Sequence, residues 1–193
     1  FFPAYADEQV SVAVHIHSLV STGSQSISEI AKLAKEAKID ALIMTDLLSE
    51  HYEYGVPPFR NIFKKAIKRN SIWSYGTEKY LKDIEEANLK VPEVLVIDGA
   101  LVTPFYYWTG SLWAKWLVLN DRSKDLVVIG LRTARAYESL PVAGAHTSKF
   151  SPYERNKGLL PYQEFIDHVN ILGGLVFWAS PDEGEDIYYG PAY

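Results

Sequence analysis

The sequence predicts an α/β fold with a parallel sheet. Short apolar runs alternate with amphipathic segments along the chain, and no internal repeat interrupts this order. Two of the runs, Glu93–Asp98 and Asp125–Leu131, are almost continuously apolar, which is typical of strands buried on both faces of a sheet. Strand–helix–strand alternation of this kind favours parallel pairing, with any functional site at the carboxyl ends of the strands.

The first predicted helix follows the first predicted strand. Ser26 and Glu29 have the spacing of a capping box, in which each side chain bonds the other residue's free backbone N–H. Apolar residues then repeat at i, i+3 and i+4, as they do on the buried face of a helix. The predicted strands are Ser11–His17, Asp40–Thr45, Glu93–Asp98, Asp125–Leu131 and Leu175–Ala179.

Three further segments have helical spacing. Apolar residues recur with a helical period over 59–67, and again over 80–84 behind the candidate N-cap Thr77. Residues 161–174 predict a helix that ends at Gly173 and Gly174.

The composition fits one globular domain and limits its functions. The chain has 193 residues, 48% hydrophobic and 22% charged, which is enough for a sizeable core. A net charge of −5, with only 19 Lys and Arg, excludes nucleic-acid binding through a basic surface. Because cysteine is absent, disulfides and cysteine-ligated zinc are excluded too. We expect no transmembrane segment, since no apolar run reaches roughly 18 residues.

Residues 1–10 form an N-terminal extension that has two interpretations. The tripeptide AYA at positions 4–6, followed by an acidic pair, resembles the end of a secretory signal peptide whose apolar region is missing. This interpretation would place the protein outside the cytoplasm. The alternative is an ordinary N-terminal segment. In both cases residues 11–193 make up a single domain.

The most distinctive stretch is Val12–Ser24 (VAVHIHSLVSTGS), in which two histidines end an apolar strand and a polar loop follows. Side chains two residues apart on a strand point to the same face, so we expect His15 and His17 side by side at the strand's carboxyl end. Two imidazoles on one face can bind one divalent ion or flank a cluster. The alternative is a pair of polar residues that bond Asp46 or water.

These residues resemble the opening of the PHP (polymerase and histidinol phosphatase) superfamily. That family has a strand, a His-x-His-Ser motif, a Ser-Asp-Gly loop, a helix and a strand ending in Thr-Asp-His, and residues 15–47 are similar in order and spacing. VLVIDGALVTPF at 94–105 and GGLVFWASPDE at 173–183 stand where the family has further ligand motifs. The resemblance covers Ser11 to Asp182. The aromatic segment Pro104–Ser111 is similar to that of a group of bacterial members.

The resemblance implies a PHP-type distorted (β/α)7 TIM-like barrel, here incomplete at its C-terminus. Members of the family hold two or three divalent metal ions at the strand ends and hydrolyse phosphate esters with metal-activated water. An incomplete barrel would expose a strand edge. Either a protein partner would cover that edge, or a longer chain would complete the barrel.

The chain departs from the family at most of its metal-binding positions. Thr22 stands where the family has an aspartate, and Ser180 stands where it has a histidine. Leu47 replaces a second histidine, and Leu101 replaces a glutamate. Leucine offers no lone pair, and a neutral hydroxyl is a weak ligand beside carboxylate or imidazole. The resemblance therefore implies a pseudoenzyme that has kept the scaffold and lost the full two- or three-metal cluster.

One candidate metal site remains. It consists of His15 and His17, with Asp46 or His146 as the third ligand, and it would hold a single divalent ion such as Zn, Mn or Fe. Its plainer alternative is a set of polar side chains that bond each other or water.

Three other residues are candidates for substrate binding. His51 lies just beyond a predicted strand end, and Tyr107 and Trp108 belong to an aromatic segment that could line a cleft. Loop histidines are often only solvated, however, and aromatic rings in loops often pack against the core.

These observations favour a PHP-like domain that acts as a non-catalytic binding or regulatory module, with a small phosphoester, another ligand or a protein as its partner. The first alternative is a residual metal-dependent phosphoester hydrolase with one metal at His15 and His17. The second is a carbohydrate-binding cleft lined by aromatic side chains.

Overall fold

The computed structural model describes residues 9–60, 62–111, 116–155, 157–179 and 187–189, the last three by backbone alone. The helices are α1 (Ile27–Glu36), α2 (Ile72–Tyr75), α3 (Thr77–Lys90), α4 (Ala134–Glu138) and α5 (Leu160–Ile171). The strands are β1 (Val12–Ile16), β2 (Ala41–Met44), β3 (His51–Gly55), β4 (Lys64–Lys68), β5 (Leu95–Ile97), β6 (Gly99–Val102), β7 (Tyr107–Ser111), β8 (Trp116–Asn120), β9 (Leu126–Ile129), β10 (Leu175–Trp178) and β11 (Ile187–Tyr189). The N-terminal extension, apart from positions 9 and 10, lies outside the described residues.

The N-terminal half forms a parallel sheet covered by two helices. Strands β1, β2 and β5 pair in parallel in that order. The predicted capping box opens α1, because the Ser26 side chain accepts from Glu29 N while the Glu29 carboxylate accepts from Ser26 N. Helix α1 packs against α3, and Ala31 and Tyr80 are completely buried there. The predictions of α1 and of these three strands are confirmed.

Strands of the C-terminal half pair antiparallel in a separate sheet, which corrects the predicted fold class. Strands β10, β9 and β6 form an antiparallel sheet. Between β6 and β9 the chain forms the β7–β8 hairpin instead of a crossover helix, so β9 starts at the edge where β6 ends. The described strands form small separate sheets without a closed barrel. The prediction of an all-parallel sheet, and with it of a PHP-type distorted (β/α)7 TIM-like barrel, is therefore wrong.

Gly99 lies where the parallel and antiparallel sheets meet. Only Asp98 separates β5 from β6, and a parallel bridge between Leu47 and Leu101 joins the end of β2 to β6. A Cβ atom on Gly99 would lie 2.4 Å from the carbonyl oxygen of Met44 and 2.9 Å from another main-chain oxygen. The absence of a side chain lets β6 fit between its neighbours.

Residues 59–67 do not form the predicted helix. Strand β4 occupies the end of this segment and pairs antiparallel with β3, so that Ile67 lies opposite Tyr52. Tyr52 is buried in the core, whereas the aromatic side chains of Phe59 and Phe63 are exposed. The apolar stripe that suggested a helix therefore has no core to pack against, and strand pairing with β3 decides the structure.

Helices α3 and α5 agree closely with the sequence predictions, whereas the short helices α2 and α4 were not predicted. Thr77 is the first residue of α3 and Gly76 is its N-cap, so the predicted cap is displaced by one position. Helix α5 ends just before Gly173, whose φ of 79° suits glycine. No helix in the described part of the chain has the length and apolar character needed to cross a membrane.

Replacing Gly99 with alanine should destabilise the protein by about 3 kcal/mol, because the new methyl group would overlap two carbonyl oxygens of the neighbouring strands. Urea denaturation followed by circular dichroism measures this loss. Gly130→Ala is the control, since Gly130 has a φ of 79° but a Cβ atom at that position would have no neighbour within 4 Å. A loss in Gly99→Ala no larger than the loss in Gly130→Ala would contradict the close approach of strands as the reason for glycine at position 99.

Candidate functional site

The carboxyl ends of β1, β2 and β6 bring several polar residues together. His15 has a positive φ of 65°, and the register between β1 and β2 shifts between Ala13 and Ile16. Irregularities of this kind re-aim side chains at a sheet edge. The ring centroids of His15 and His17 lie 5.3 Å apart, with the ring planes tilted by 39°. The two histidines are neighbours, as the sequence predicts.

His17 is half-buried and faces the hydroxyl groups of the next loop. Its Nδ1 lies 3.1 Å from Thr22 Oγ1 and 3.3 Å from Ser21 Oγ. Burial lowers the pKa of His17 from its ordinary value, Asp46 partly offsets this by raising the pKa, and His15 lowers it again. The imidazole of His17 is therefore neutral at neutral pH, and one ring nitrogen carries a lone pair.

Asp46 is completely buried, and neighbouring donors hold both of its carboxylate oxygens. Oδ1 accepts from the backbone N–H of Ser18 at 2.7 Å and from the Ser21 hydroxyl at 2.5 Å, while Oδ2 accepts from the Ser18 hydroxyl at 2.7 Å. We call these three residues the Asp46 clasp. It connects the end of β2 to the loop after β1, and it gives the carboxylate a structural role in place of an open coordination position.

Asp125 reaches the same edge from the reversed strand. It directly precedes β9, and its Oδ1 accepts a hydrogen bond of 2.5 Å from Thr103 Oγ1, just beyond β6. Burial raises the pKa of Asp125, and the Thr103 bond partly offsets this by lowering it. Glu50 raises the pKa further, whereas Arg122 and His15 lower it. His15 is thus close enough to act on the Asp125 carboxyl, which links the histidine pair to a second polar cluster.

That second cluster centres on Glu50, a glutamate with 7% of its surface exposed. Its Oε1 accepts from the Tyr52 hydroxyl at 3.3 Å and lies 3.6 Å from Arg122 Nη2. Its Oε2 lies 3.8 Å from Arg69 Nη1. Glu50, which is buried, and Asp125, which is half-buried, therefore share the field of Arg122. The edge combines imidazole, carboxyl and guanidinium groups that can form hydrogen bonds and ion pairs.

The sequence pattern did not single out Thr103, Asp125, Glu50 or Arg122. An acidic residue before a strand assumed to be parallel would lie at the opposite edge of the sheet, away from His15. Only the reversal of β9 brings Asp125 to the carboxyl ends. One signal could have suggested that Asp125 reaches this edge. It is an Asp directly before an almost continuously apolar strand, together with Thr103 just after β6.

The structure places the other histidine candidates away from this edge. His51 begins β3 opposite Lys68, and its Nε2 lies 3.9 Å from Glu53 Oε2. The pKa of His51 is lowered, mainly by burial and then by the charge of Lys68. His146 is exposed in the loop between α4 and α5.

The aromatic candidates pack against protein. Trp108 donates from Nε1 to the carbonyl oxygen of Glu53 at 2.9 Å, and its ring meets that of Tyr54 edge to face at 5.5 Å. Tyr107 stacks on Phe105, with ring centroids 5.9 Å apart. The contacts of Trp108 hold the β3–β4 hairpin and the β7–β8 hairpin together.

At the positions where the chain departs from the PHP pattern, the described side chains contact other parts of the protein. Leu101 is buried beside Leu47 at the β2–β6 bridge, and Thr22 bonds His17. Ser180 lies outside the described residues. Among the residues that the structure describes, no group of three or more His, Asp or Glu side chains is arranged to hold a metal ion, so the observed donors do not fit a two- or three-metal cluster.

No protein-family model matches the sequence. A search of curated proteins likewise finds no significant match.

Replacing Asp46 with asparagine should lower the free energy of unfolding by about 3 kcal/mol, because the amide nitrogen cannot accept the bonds of the clasp and would face donors. Urea denaturation measures the change. Asp40→Asn is the matched control, since Asp40 Oδ2 accepts from Ser11 N and Ser11 Oγ at the opposite, exposed end of the same strand pair. We expect a smaller loss there, and equal losses would contradict a special role for burial.

Replacing His15 with asparagine, which tolerates a positive φ, should raise the pKa of His17, because it removes the repulsion between the two imidazoles. Titration of the imidazole resonances by NMR measures the shift. His51→Asn should leave the pKa of His17 unchanged. A His17 pKa that stays constant or falls in His15→Asn would show that the two rings do not interact electrostatically.

Proposed function

We propose that the chain is a PHP-like domain whose strand-end site has changed from metal-dependent phosphoester hydrolysis to non-catalytic binding or regulation. The observation that carries this proposal is the Asp46 clasp, in which the candidate third ligand of the metal site is fully buried and bonded by Ser18 and Ser21. The Asp46 carboxylate accepts three hydrogen bonds from within the protein. It would have to break these bonds to coordinate a cation, and each broken bond would lower the stability of the fold.

The neighbouring residues support the same conclusion. At two of the family's ligand positions the chain has Leu47 and Leu101, which pair across the β2–β6 bridge and cannot donate a lone pair. What remains is an exposed His15, a neutral His17 and the protonatable Asp125 carboxyl. Such a set suits a ligand that both donates and accepts hydrogen bonds, of which a phosphomonoester is one.

One observation favours the residual hydrolase as a second candidate. The rings of His15 and His17 are adjacent, with centroids 5.3 Å apart, and the Asp125 carboxyl lies within electrostatic reach of His15. The two imidazoles would supply two ligands of a single Zn, Mn or Fe ion, and a third would have to be recruited, because the described residues contain no preformed group of three such donors.

The test separates binding from turnover. Elemental mass spectrometry of protein purified without chelator, in wild type and in His15→Ala/His17→Ala, gives the metal content. Hydrolysis of p-nitrophenyl phosphate with added Mn²⁺ or Zn²⁺ gives the activity, and titration with glycerol 2-phosphate followed by the imidazole NMR resonances gives binding. We expect sub-stoichiometric metal, no turnover beyond the buffer rate, and shifts of the His15 and His17 resonances.

His51→Ala/His146→Ala is the matched control, because it removes two histidines that lie away from this edge. Stoichiometric metal and phosphatase activity that disappear in His15→Ala/His17→Ala and persist in the control would establish the hydrolase instead. Resonances that do not respond to the phosphomonoester would refute a phosphate ligand at this edge.

A further inference from the structure

The β3–β4 hairpin gathers positive charge in an acidic protein. From Tyr54 to Thr77 the sequence contains no Asp or Glu, although the chain as a whole has a net charge of −5. Five cations lie on the hairpin or directly beside it: Arg60, Lys64, Lys65, Lys68 and Arg69. This local excess of positive charge is the opposite of the protein's overall charge.

The tip of the hairpin is apolar and exposed. Phe59, Ile62 and Phe63 expose 57%, 72% and 61% of their surfaces, and we call these three side chains the apolar tip. The turn has a defined conformation, because Phe63 N donates to Phe59 O at 2.9 Å and Val56 N donates to Phe63 O at 2.8 Å. Grouped exposed aromatic and aliphatic side chains next to charged residues are typical of an interaction surface.

The base of the hairpin is firmly attached to the core. Tyr52 is 4% exposed, and its ring meets that of Tyr106 at 5.0 Å. Glu53 N donates to the Tyr106 hydroxyl at 3.2 Å, and the Glu53 carbonyl accepts from Trp108 Nε1 at 2.9 Å. The buried base and the exposed tip are parts of one short hairpin, so the apolar tip is presented to the surroundings by a fixed support.

The cations differ in how far the protein itself neutralises them. Lys64 pairs with Glu53 at 3.0 Å, and the Arg60 guanidinium lies 4.2 Å from the centre of the Tyr153 ring. Lys65 and Lys68 are exposed and form no ion pair with any residue that the structure describes. Their charges are available to an external anionic partner.

We propose that this hairpin docks on an anionic phospholipid membrane, with the apolar tip entering the headgroup region and the lysines contacting lipid phosphates and carboxylates. A bilayer surface offers both features that the hairpin needs, an apolar layer for Phe59, Ile62 and Phe63 and negative charge directly above it. Lysine can keep its ammonium group at the charged layer while its aliphatic stem follows the apolar one. This proposal is independent of the strand-end site.

A bilayer fits the hairpin better than a nucleic acid does. Phosphate backbones attract cations but offer no apolar layer for three exposed side chains on a turn. Each Lys or Arg close to an anionic surface strengthens binding by about fivefold. Lys65 lies next to the tip end of β4, whereas Lys68 lies opposite His51 at the base of the hairpin. The loss of both lysines should therefore weaken binding by at least about fivefold, most of it from Lys65.

Co-sedimentation with sucrose-loaded vesicles tests the proposal on the full chain. Vesicles of phosphatidylserine and phosphatidylcholine in about a 3:7 ratio are compared with vesicles of phosphatidylcholine alone. We expect binding to the first kind, weakened by added salt, by Lys65→Gln/Lys68→Gln and by Ile62→Ser/Phe63→Ser. Lys32→Gln/Lys82→Gln and Leu89→Ser/Ile171→Ser, which change exposed residues on helices, should bind like the wild type.

The absence of cysteine allows a direct measurement of insertion. A single environment-sensitive fluorophore at Ile62→Cys should show a blue shift on anionic vesicles, and the same label at Leu89→Cys on α3 should not. Circular dichroism of every variant verifies that it is folded.

Three results would overturn the proposal. The first is no binding of folded wild-type protein to anionic vesicles. The second is binding that is lost in the lysine variant but unchanged in Ile62→Ser/Phe63→Ser, with no blue shift at position 62, which would reduce the contact to charge adsorption. The third is a wild-type dimer, seen by analytical ultracentrifugation, that the tip variant dissolves and that does not bind vesicles, because the tip would then be a contact between two copies.

Discussion

The buried carboxylate of Asp46 is the interaction on which the arrangement of the strand ends depends. A buried charge needs nearby donors, because the protein interior solvates it poorly. Ser18 and Ser21 supply these donors from the loop after β1, and their bonds fix the loop to the end of β2. The same loop folds back on itself through bonds from Ser21 N and Gly23 N to the carbonyl oxygen of Ser18. The position of His17, which lies next to this loop, therefore depends on the structural role of Asp46.

The clasp also separates two kinds of polar environment along one edge. On the side of Asp46 the charge is satisfied by neutral hydroxyl and amide donors. On the side of Asp125 and Glu50 the acids are opposed by Arg122, and burial favours the protonated form of Asp125. The exposed His15 is a neighbour of both environments, because its ring lies 5.3 Å from that of His17 and its charge lowers the pKa of Asp125.

The sequence predicts the local elements well and their directions poorly. The capping box of Ser26 and Glu29, the apolar runs and the terminal glycine of α5 are local signals, and each marks an element that the structure contains. The direction of β9 is not local, because it depends on β7 and β8 pairing with each other where a crossover helix was expected. For the same reason the sequence identified His15, His17 and Asp46 as neighbours but missed Asp125.

The segment 59–67 shows the limit of periodicity. A helical repeat of apolar residues predicts a helix only when a core is available to bury the repeated face. Here β3 offers backbone partners to β4, and the side chain of Tyr52 already fills the adjoining core. Phe59, Ile62 and Phe63 therefore lie at the turn with their side chains exposed, and their helical spacing does not correspond to a buried helix face.

The length of the β3–β4 hairpin sets the distance between the proposed membrane contact and the strand-end site. A five-residue strand spans about 17 Å, and at its base Arg69 N donates to the carbonyl oxygen of Glu50, which belongs to the buried acidic cluster. The surface potential of a membrane decays over about 8 Å at physiological ionic strength. On a bilayer held at the apolar tip, the lipid charge would thus act on the tip end of the hairpin and set the orientation of the protein, while the Asp125 carboxyl and the buried acidic cluster responded to bound ligand and to the pH of the bulk solution.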